Sequence, residues 1–181
     1  MAKDTRNTLL DAADRIITET GATHLTLDKV AAAAGVSKGG LLYHFPNKEA
    51  LITAMIERLL DEFTQAIDTF MAADPVLEGR WLRAFVNVTF TPKFAQVERS
   101  AGLLAAAATD TTLLEPFRQQ FAEWHAQTVA GSDDPALGTL IRLAADGLWF
   151  AELFGVSPLD DATREAVHAA LITLTHQDND L

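Results

Sequence analysis

The sequence predicts an all-α protein of about nine helices, and three observations carry that prediction. Apolar residues recur at helical spacing through nearly the whole chain. No stretch alternates like a half-buried strand that ends in hairpin turn chemistry. Capping residues, glycines and prolines fall where the periodic runs start and stop. With 181 residues, 49% of them apolar, the chain can bury one substantial core, or one core and a small module.

In chain order, Leu9, Ala13, Ile16 and Ile17 form one apolar stripe, which predicts a helix over 4–20 that Gly21 ends. Thr26 is placed to cap a short helix over 27–34, and Gly35 ends it. Ser37 caps a second short helix that reaches His44. Pro46 cannot continue that helix, whereas Asn47 can cap the next one. From Lys48 the residues Ile52, Ile56, Leu59, Phe63, Ile67 and Phe70 keep a helical repeat, so one long helix follows. Asp74-Pro75 breaks it, and a helix with Trp81, Phe85 and Val88 comes after. Pro92, Pro116, Pro135 and Pro158 punctuate the remainder, predicting helices near 93–108, 112–130, 136–155 and 159–175.

Composition narrows the function classes. There is no cysteine, which excludes disulfides and thiolate metal sites. The longest apolar run, Ala101 to Ala108, is far shorter than the roughly 20 residues that span a bilayer. No apolar signal core stands near the N-terminus, so a cytoplasmic protein without membrane association is expected. The net charge of −11 at first argues against nucleic acid. Residues 1–50, however, balance Lys3, Arg6, Arg15, Lys29, Lys38 and Lys48 against Asp4, Asp11, Asp14, Glu19, Asp28 and Glu49, so the acidic excess lies wholly in the remainder. A neutral N-terminal module on an acidic body can still approach phosphate.

Two short helices around Gly35 have the form of a helix-turn-helix, in which the second helix offers its N-terminal side chains to the major groove of DNA. Val30 and Ala34 suit the core of the pair, Ala31 is small where the helices meet, and Val36 and Leu41 anchor the second helix. Gly39 and Gly40 each cost a helix about 1 kcal/mol relative to alanine, so close approach of DNA is one reason for them and an irregular turn the other. Lys38 is a candidate for a guanine edge or a phosphate, and Tyr43, His44 and Lys48 are candidates for phosphate. Lys48 also opens the long helix, whose free amide groups favour anions.

The run Gly35 to Leu51, GVSKGGLLYHFPNKEAL, resembles the helix-turn-helix signature of TetR-type transcriptional repressors, and the likeness covers roughly residues 5–55. The resemblance implies a homodimer that binds near-palindromic operator DNA through a domain at 1–50. It implies a domain at 51–181 that binds a small-molecule inducer and dimerises through its last two long helices. It places Thr26 at a phosphate-contacting cap, Lys38, Gly39 and Gly40 at the base-reading start of the recognition helix, and Tyr43, His44 and Lys48 at positions that usually touch the backbone or nearby bases; Ser37 and Leu41 complete the expected DNA contacts. One departure is Leu42, which stands where the family commonly carries tyrosine; Tyr43 follows it.

The C-terminal body carries no signature of that strength. Trp81, Phe85, Phe90, Phe94, Phe117, Phe121, Trp124, Trp149, Phe150 and Phe154 serve either as core or as the lining of a pocket for an aromatic or lipophilic inducer. Asp146, in the apolar stretch 143–150, either pairs with Arg142 or awaits a cationic ligand. The segments 137–153 and 162–174 are the candidate dimer helices. An enzyme is the rival reading, with little to support it: none of the serines at 37, 100, 132 and 157 lies in a Gly-x-Ser-x-Gly elbow. The glycines at 35–40 lack a Gly-Lys-Ser/Thr ending, and Glu165-x-x-His168 lacks the second copy a di-iron bundle needs. No catalytic residue, cofactor or metal is expected. A third reading keeps a ligand-binding or protein-interaction bundle without DNA function.

Overall fold

The computed structural model describes residues 2–91, 97–107, 110–156 and 159–176, and among these it contains nine α-helices and no strand. They are α1 (Ala2–Thr20), α2 (Leu27–Ala34), α3 (Lys38–His44), α4 (Lys48–Ala73), α5 (Arg80–Phe90), α6 (Val97–Ala107), α7 (Glu115–Ala130), α8 (Pro135–Phe154) and α9 (Asp161–Leu174). Single turns of 3-10 helix occupy Ala22–His24 and Thr111–Leu114. The predicted helix over 93–108 is described over Val97–Ala107, and residues 92–96, 108 and 109 lie outside the described residues. No helix among the described residues is long and apolar enough to cross a membrane.

Local side-chain chemistry sets the boundaries. Asp134 accepts from the backbone N–H groups of Ala136 and Leu137 (2.9 and 3.1 Å), and Pro135 opens α8 where no amide is needed. Asp160 accepts from Thr163 N (2.7 Å) to start α9, which holds its carboxyl below the usual range.

Packing divides the chain into two compact units. The first unit joins residues 1–60 with 98–118; the second joins 61–97 with 119–181. In the first, Leu9, Leu10, Ala13, Ile17, Leu25, Val30, Leu41, Leu51, Met55 and Ile56 are buried together with Leu103 and Leu113. An ion-pair network runs through the same unit: Arg58 binds Asp11 (2.6 Å) and Asp14, and Arg99 Nε binds Asp14 (3.0 Å). In the second, Leu82, Val86, Phe90, Ile141, Leu148 and Leu171 form the core, with Trp81, Leu137 and Val167 packed against it. Buried Arg83 is neutralised there by Asp74 (2.7 Å) and also donates to the Val76 carbonyl (2.6 Å).

Candidate functional site

The N-terminal site is assembled by caps. Thr26, in extended conformation, accepts from Lys29 N (3.3 Å) and starts α2. Gly35 ends it with φ 68°, a left-handed conformation that favours glycine. There the Val36 N–H donates to Ala31 O (3.0 Å) and the Gly35 N–H to Ala32 O (3.2 Å), satisfying two terminal carbonyls while reversing the chain. Ser37 accepts from Gly40 N (3.1 Å) and starts α3; Asn47 accepts from Ala50 N (2.7 Å) and starts α4. Three capped helix N-termini thus occur within about two dozen residues, each a place where backbone amides favour anions. Phe45, buried at the end of α3, is held under the Arg6 guanidinium at 5.4 Å.

Exposure sorts the expected contact residues. Thr26, Ser37, Lys38, Gly39 and Tyr43 are exposed, and Gly40, His44 and Lys48 are half-buried. Tyr43 is 83% exposed and touches the His44 ring edge-on at 5.1 Å. Leu41 corrects the sequence reading: it is 0% exposed, so it serves only the packing of α3. Helical spacing explains this, since Leu41 falls on the inner face of α3 while Leu42 turns partly to solvent. Lys38 has a partner that the sequence did not reveal, the Asp28 carboxylate on α2 at 2.9 Å, with both side chains well exposed.

In the second unit five aromatic rings form one cluster. Trp81 stacks on Phe85 (5.3 Å), Phe63 meets Phe85 and Trp124 (5.6 and 5.0 Å), and Trp124 also meets Phe85 and Phe121 (5.5 and 5.2 Å). Trp124 is buried, and its indole N–H has no acceptor among the described residues. Asp146 takes the pairing alternative: Arg142 Nη1 lies 2.6 Å from its carboxylate and both side chains are nearly buried. Burial pushes the Asp146 carboxyl up to about 6, and Arg142 offsets part of that shift. Trp149 is half-buried, while Phe150 and Phe154 are exposed and stacked at 6.3 Å, so these two do not line an interior pocket. They share the outer face of α8 with Leu140 and Leu143, whereas Ile141, Ala145 and Leu148 point inward. Phe94 lies outside the described residues. His168 of the Glu-x-x-His pair is hydrogen-bonded to Asn87 (2.9 Å), and no group of metal-ligating side chains occurs among the described residues.

Two family models match this chain. Residues 9–55 match the bacterial regulatory proteins of the tetR family, and residues 79–176, more than half of the chain, match the Tetracyclin repressor-like C-terminal domain. The chain belongs to the TetR family. It is a TetR-family transcriptional regulator with a DNA-binding helix-turn-helix. The HTH-type transcriptional regulator EthR of Mycobacterium tuberculosis is 26% identical over 165 residues, spanning 83% of this chain and 76% of that protein. A putative transcriptional regulator from Pseudomonas aeruginosa PAO1 has the same fold, with a TM-score of 0.76 at 15% identity over 99% of this chain and 95% of that one. The multidrug binding protein EbrR complexed with ethidium gives a TM-score of 0.68 at 25% identity, covering 94% of this chain and 98% of that one.

Within this TetR-family chain, sequence reasoning missed Phe63, Asp28 and the Asp14–Arg58–Arg99 network. Phe63 was visible only as one position of an apolar stripe. The ion pairs left no signal at all, because their members stand in different helices and have ordinary helical surroundings.

Proposed function

We propose that this TetR-family regulator is a repressor that leaves its operator when a small aromatic or lipophilic molecule binds the second unit. The observation that carries the ligand reading is the Trp124 indole N–H, buried without an acceptor among the described residues and surrounded by the Phe63, Phe85 and Phe121 rings. A buried donor left unpaired costs about 1–3 kcal/mol, and an aromatic ligand bearing a carbonyl or similar acceptor relieves that cost. EbrR, similar over almost its whole length, is described in complex with ethidium, which supports an aromatic ligand. Asp146 gives no support to a cation at this place, since Arg142 already neutralises it.

Thr26, Ser37, Lys38, Gly39, Gly40, Tyr43, His44 and Lys48 are the proposed DNA contacts, with residues 1–50 as the DNA-binding domain and 51–181 as the ligand-binding and dimerisation domain. Two copies would join through the outer faces of α8 and α9, where Leu140 (64% exposed), Leu143, Phe150 and Phe154 (61%) make a stripe too apolar to be left in water, facing the small Ala162, Ala166, Ala169 and Ala170. The pair would set its α3 helices in successive major grooves about 34–36 Å apart on a near-palindromic site. Ligand binding would shift the long helix α4, which gives residues to both units, and so change that spacing.

The test is linkage. Benzophenone and diphenylmethane, which differ by the carbonyl acceptor, are titrated against the protein with and without DNA from its own upstream region. Benzophenone is expected to bind more tightly by about 2- to 12-fold, the worth of one hydrogen bond, and Trp124→Phe to erase that preference. It is also expected to bind the DNA-free form more tightly, by the same factor by which it weakens DNA binding. Equal affinity with and without the operator would rule out induction.

A further inference from the structure

The second unit contains a cavity of about 390 Å³ that is separate from the aromatic cluster around Trp124. Phe70 of α4, Asn87, Phe90 and Thr91 at the end of α5, and Asp161, Arg164, Glu165 and His168 of α9 line it. The four α9 residues stand at i, i+3, i+4 and i+7, one face of that helix.

The polar groups of this cavity fall into two sets. Those at its base are already satisfied. Arg164 donates Nε to Glu152 (2.7 Å) and Nη1 to the Phe90 carbonyl (2.8 Å), and its guanidinium lies 5.1 Å from the Phe90 ring centroid. His168 pairs with Asn87, and burial, followed by the nearby Arg164 charge, holds it below the ordinary histidine value, so it is neutral at pH 7. Thr91 donates to the Asn87 carbonyl (2.8 Å). The carboxylates of Asp161 and Glu165 form the other set: both are exposed at the rim, and neither has an ion-pair partner among the described residues. The one arginine of the cavity is spent on Glu152, so the charge left over is negative. Beside these carboxylates stands the Phe70 ring, 36% exposed although it is a large aromatic, with Phe90 deeper.

We propose that this cavity is a binding site for small organic cations, distinct from the aromatic cluster, in which Asp161 and Glu165 hold an ammonium group and the exposed Phe70 ring holds its aromatic or alkyl body, while Phe90, already covered by Arg164 and His168, forms only the floor. The size suits a drug-sized ligand, for which pockets of about 300–1,000 Å³ are usual. Carboxylates next to aromatic faces favour a cation twice, by Coulomb attraction and by the ring quadrupole. An anion is disfavoured by the same rim, and a neutral molecule gains only the apolar contact.

The experiment is isothermal titration of the intact protein with naphthylmethylammonium, naphthylmethanol and naphthoate, which share one ring system and differ in charge. The cation is expected to bind more tightly than the alcohol by about tenfold or more, naphthoate not to bind, and added salt to weaken the cation alone. Asp161→Asn with Glu165→Gln should cost the cation about tenfold and leave the alcohol unchanged. Both residues are exposed, and an unchanged melting temperature confirms that the variant is folded. Phe70→Ala should weaken cation and alcohol together. Naphthoate binding as well as the ammonium, or a charge-neutral variant that keeps its cation affinity, overturns the proposal. Operator release plays no part in this titration, so failure of the repressor reading leaves its outcome interpretable.

Discussion

Replacing Gly39 with alanine separates stability from DNA recognition at the start of α3. Gly39 is helical, with no left-handed φ to excuse it, and a Cβ built on it meets nothing within 4 Å. The fold therefore has no steric objection to alanine. Reduced freedom of the unfolded chain and better helix propensity should stabilise Gly39→Ala by about 0.5–1 kcal/mol. For a chain of this size that corresponds to a rise of about 1–4 °C in melting temperature. If the bare surface exists to let DNA approach, the same methyl group occupies the space between helix and duplex. Overpacking by one such group costs about 1–3 kcal/mol, or about 5- to 150-fold in affinity. Thermal unfolding followed by circular dichroism gives the first quantity, and fluorescence anisotropy with upstream DNA at fixed salt gives the second. A variant that is more stable and weaker on DNA supports the reasoning. One that is more stable and binds as the parent does refutes it, and leaves the glycine as an irregular feature of the turn. Gly40→Ala is the less clean probe, since its Cβ would stand 3.4 Å from the Ser37 hydroxyl that caps the same helix.

Four further outcomes follow from the geometry. Asp28→Asn releases Lys38 and removes a negative charge beside the reading helix; it should tighten binding to any DNA by about two- to fivefold, the worth of an exposed ion pair, as measured by anisotropy. Lys48→Ala should weaken operator and random DNA alike and reduce the salt slope by about 1, whereas Lys38→Ala should also alter sequence preference in a binding-site selection. Gly102→Ala would force a Cβ onto the Ile17 side chain in the core of the first unit, and should destabilise the protein by about 1–3 kcal/mol in urea unfolding. Asp146 binds its proton more tightly folded than unfolded, so its contribution is present at low pH and is lost as pH rises from about 4 to about 6; a plot of stability against pH for Asp146→Asn should lack that loss, which amounts to at most about 3 kcal/mol.

What could be read from the sequence was local. Thr26, Ser37 and Asn47 cap helices through bonds to amides three residues on, and the bounds of α2 and α3 follow the predicted ones residue for residue. Such interactions are written within one turn of chain, so spacing reveals them. Partners far apart in sequence are not written that way. Arg58 is separated by 44 residues from Asp14, and nothing near either residue marks the pair. The exposed Phe150 and Phe154 illustrate a different gap: the sequence shows that α8 has apolar residues all round, and only the fold tells which of them face the core and which face outward.

The composition of the first packing unit bears on how a signal would reach the DNA-binding helices. The C-terminal family domain begins at residue 79, yet residues 98–118 from within it pack as one unit with residues 1–60. Arg99 of α6 binds Asp14 of α1, and Asp14 also binds Arg58 of α4. Gly102 of α6 lies against Ile17 so closely that no larger residue fits without movement. α6 thus shares a core and an ion-pair network with α1 inside the first unit. A displacement of α6 by even part of an ångström would break close contacts of a densely packed interior, and packed interiors respond to such changes by switching arrangement rather than by stretching. At the centre of that network stands Asp14, whose one carboxylate serves two arginines from two helices.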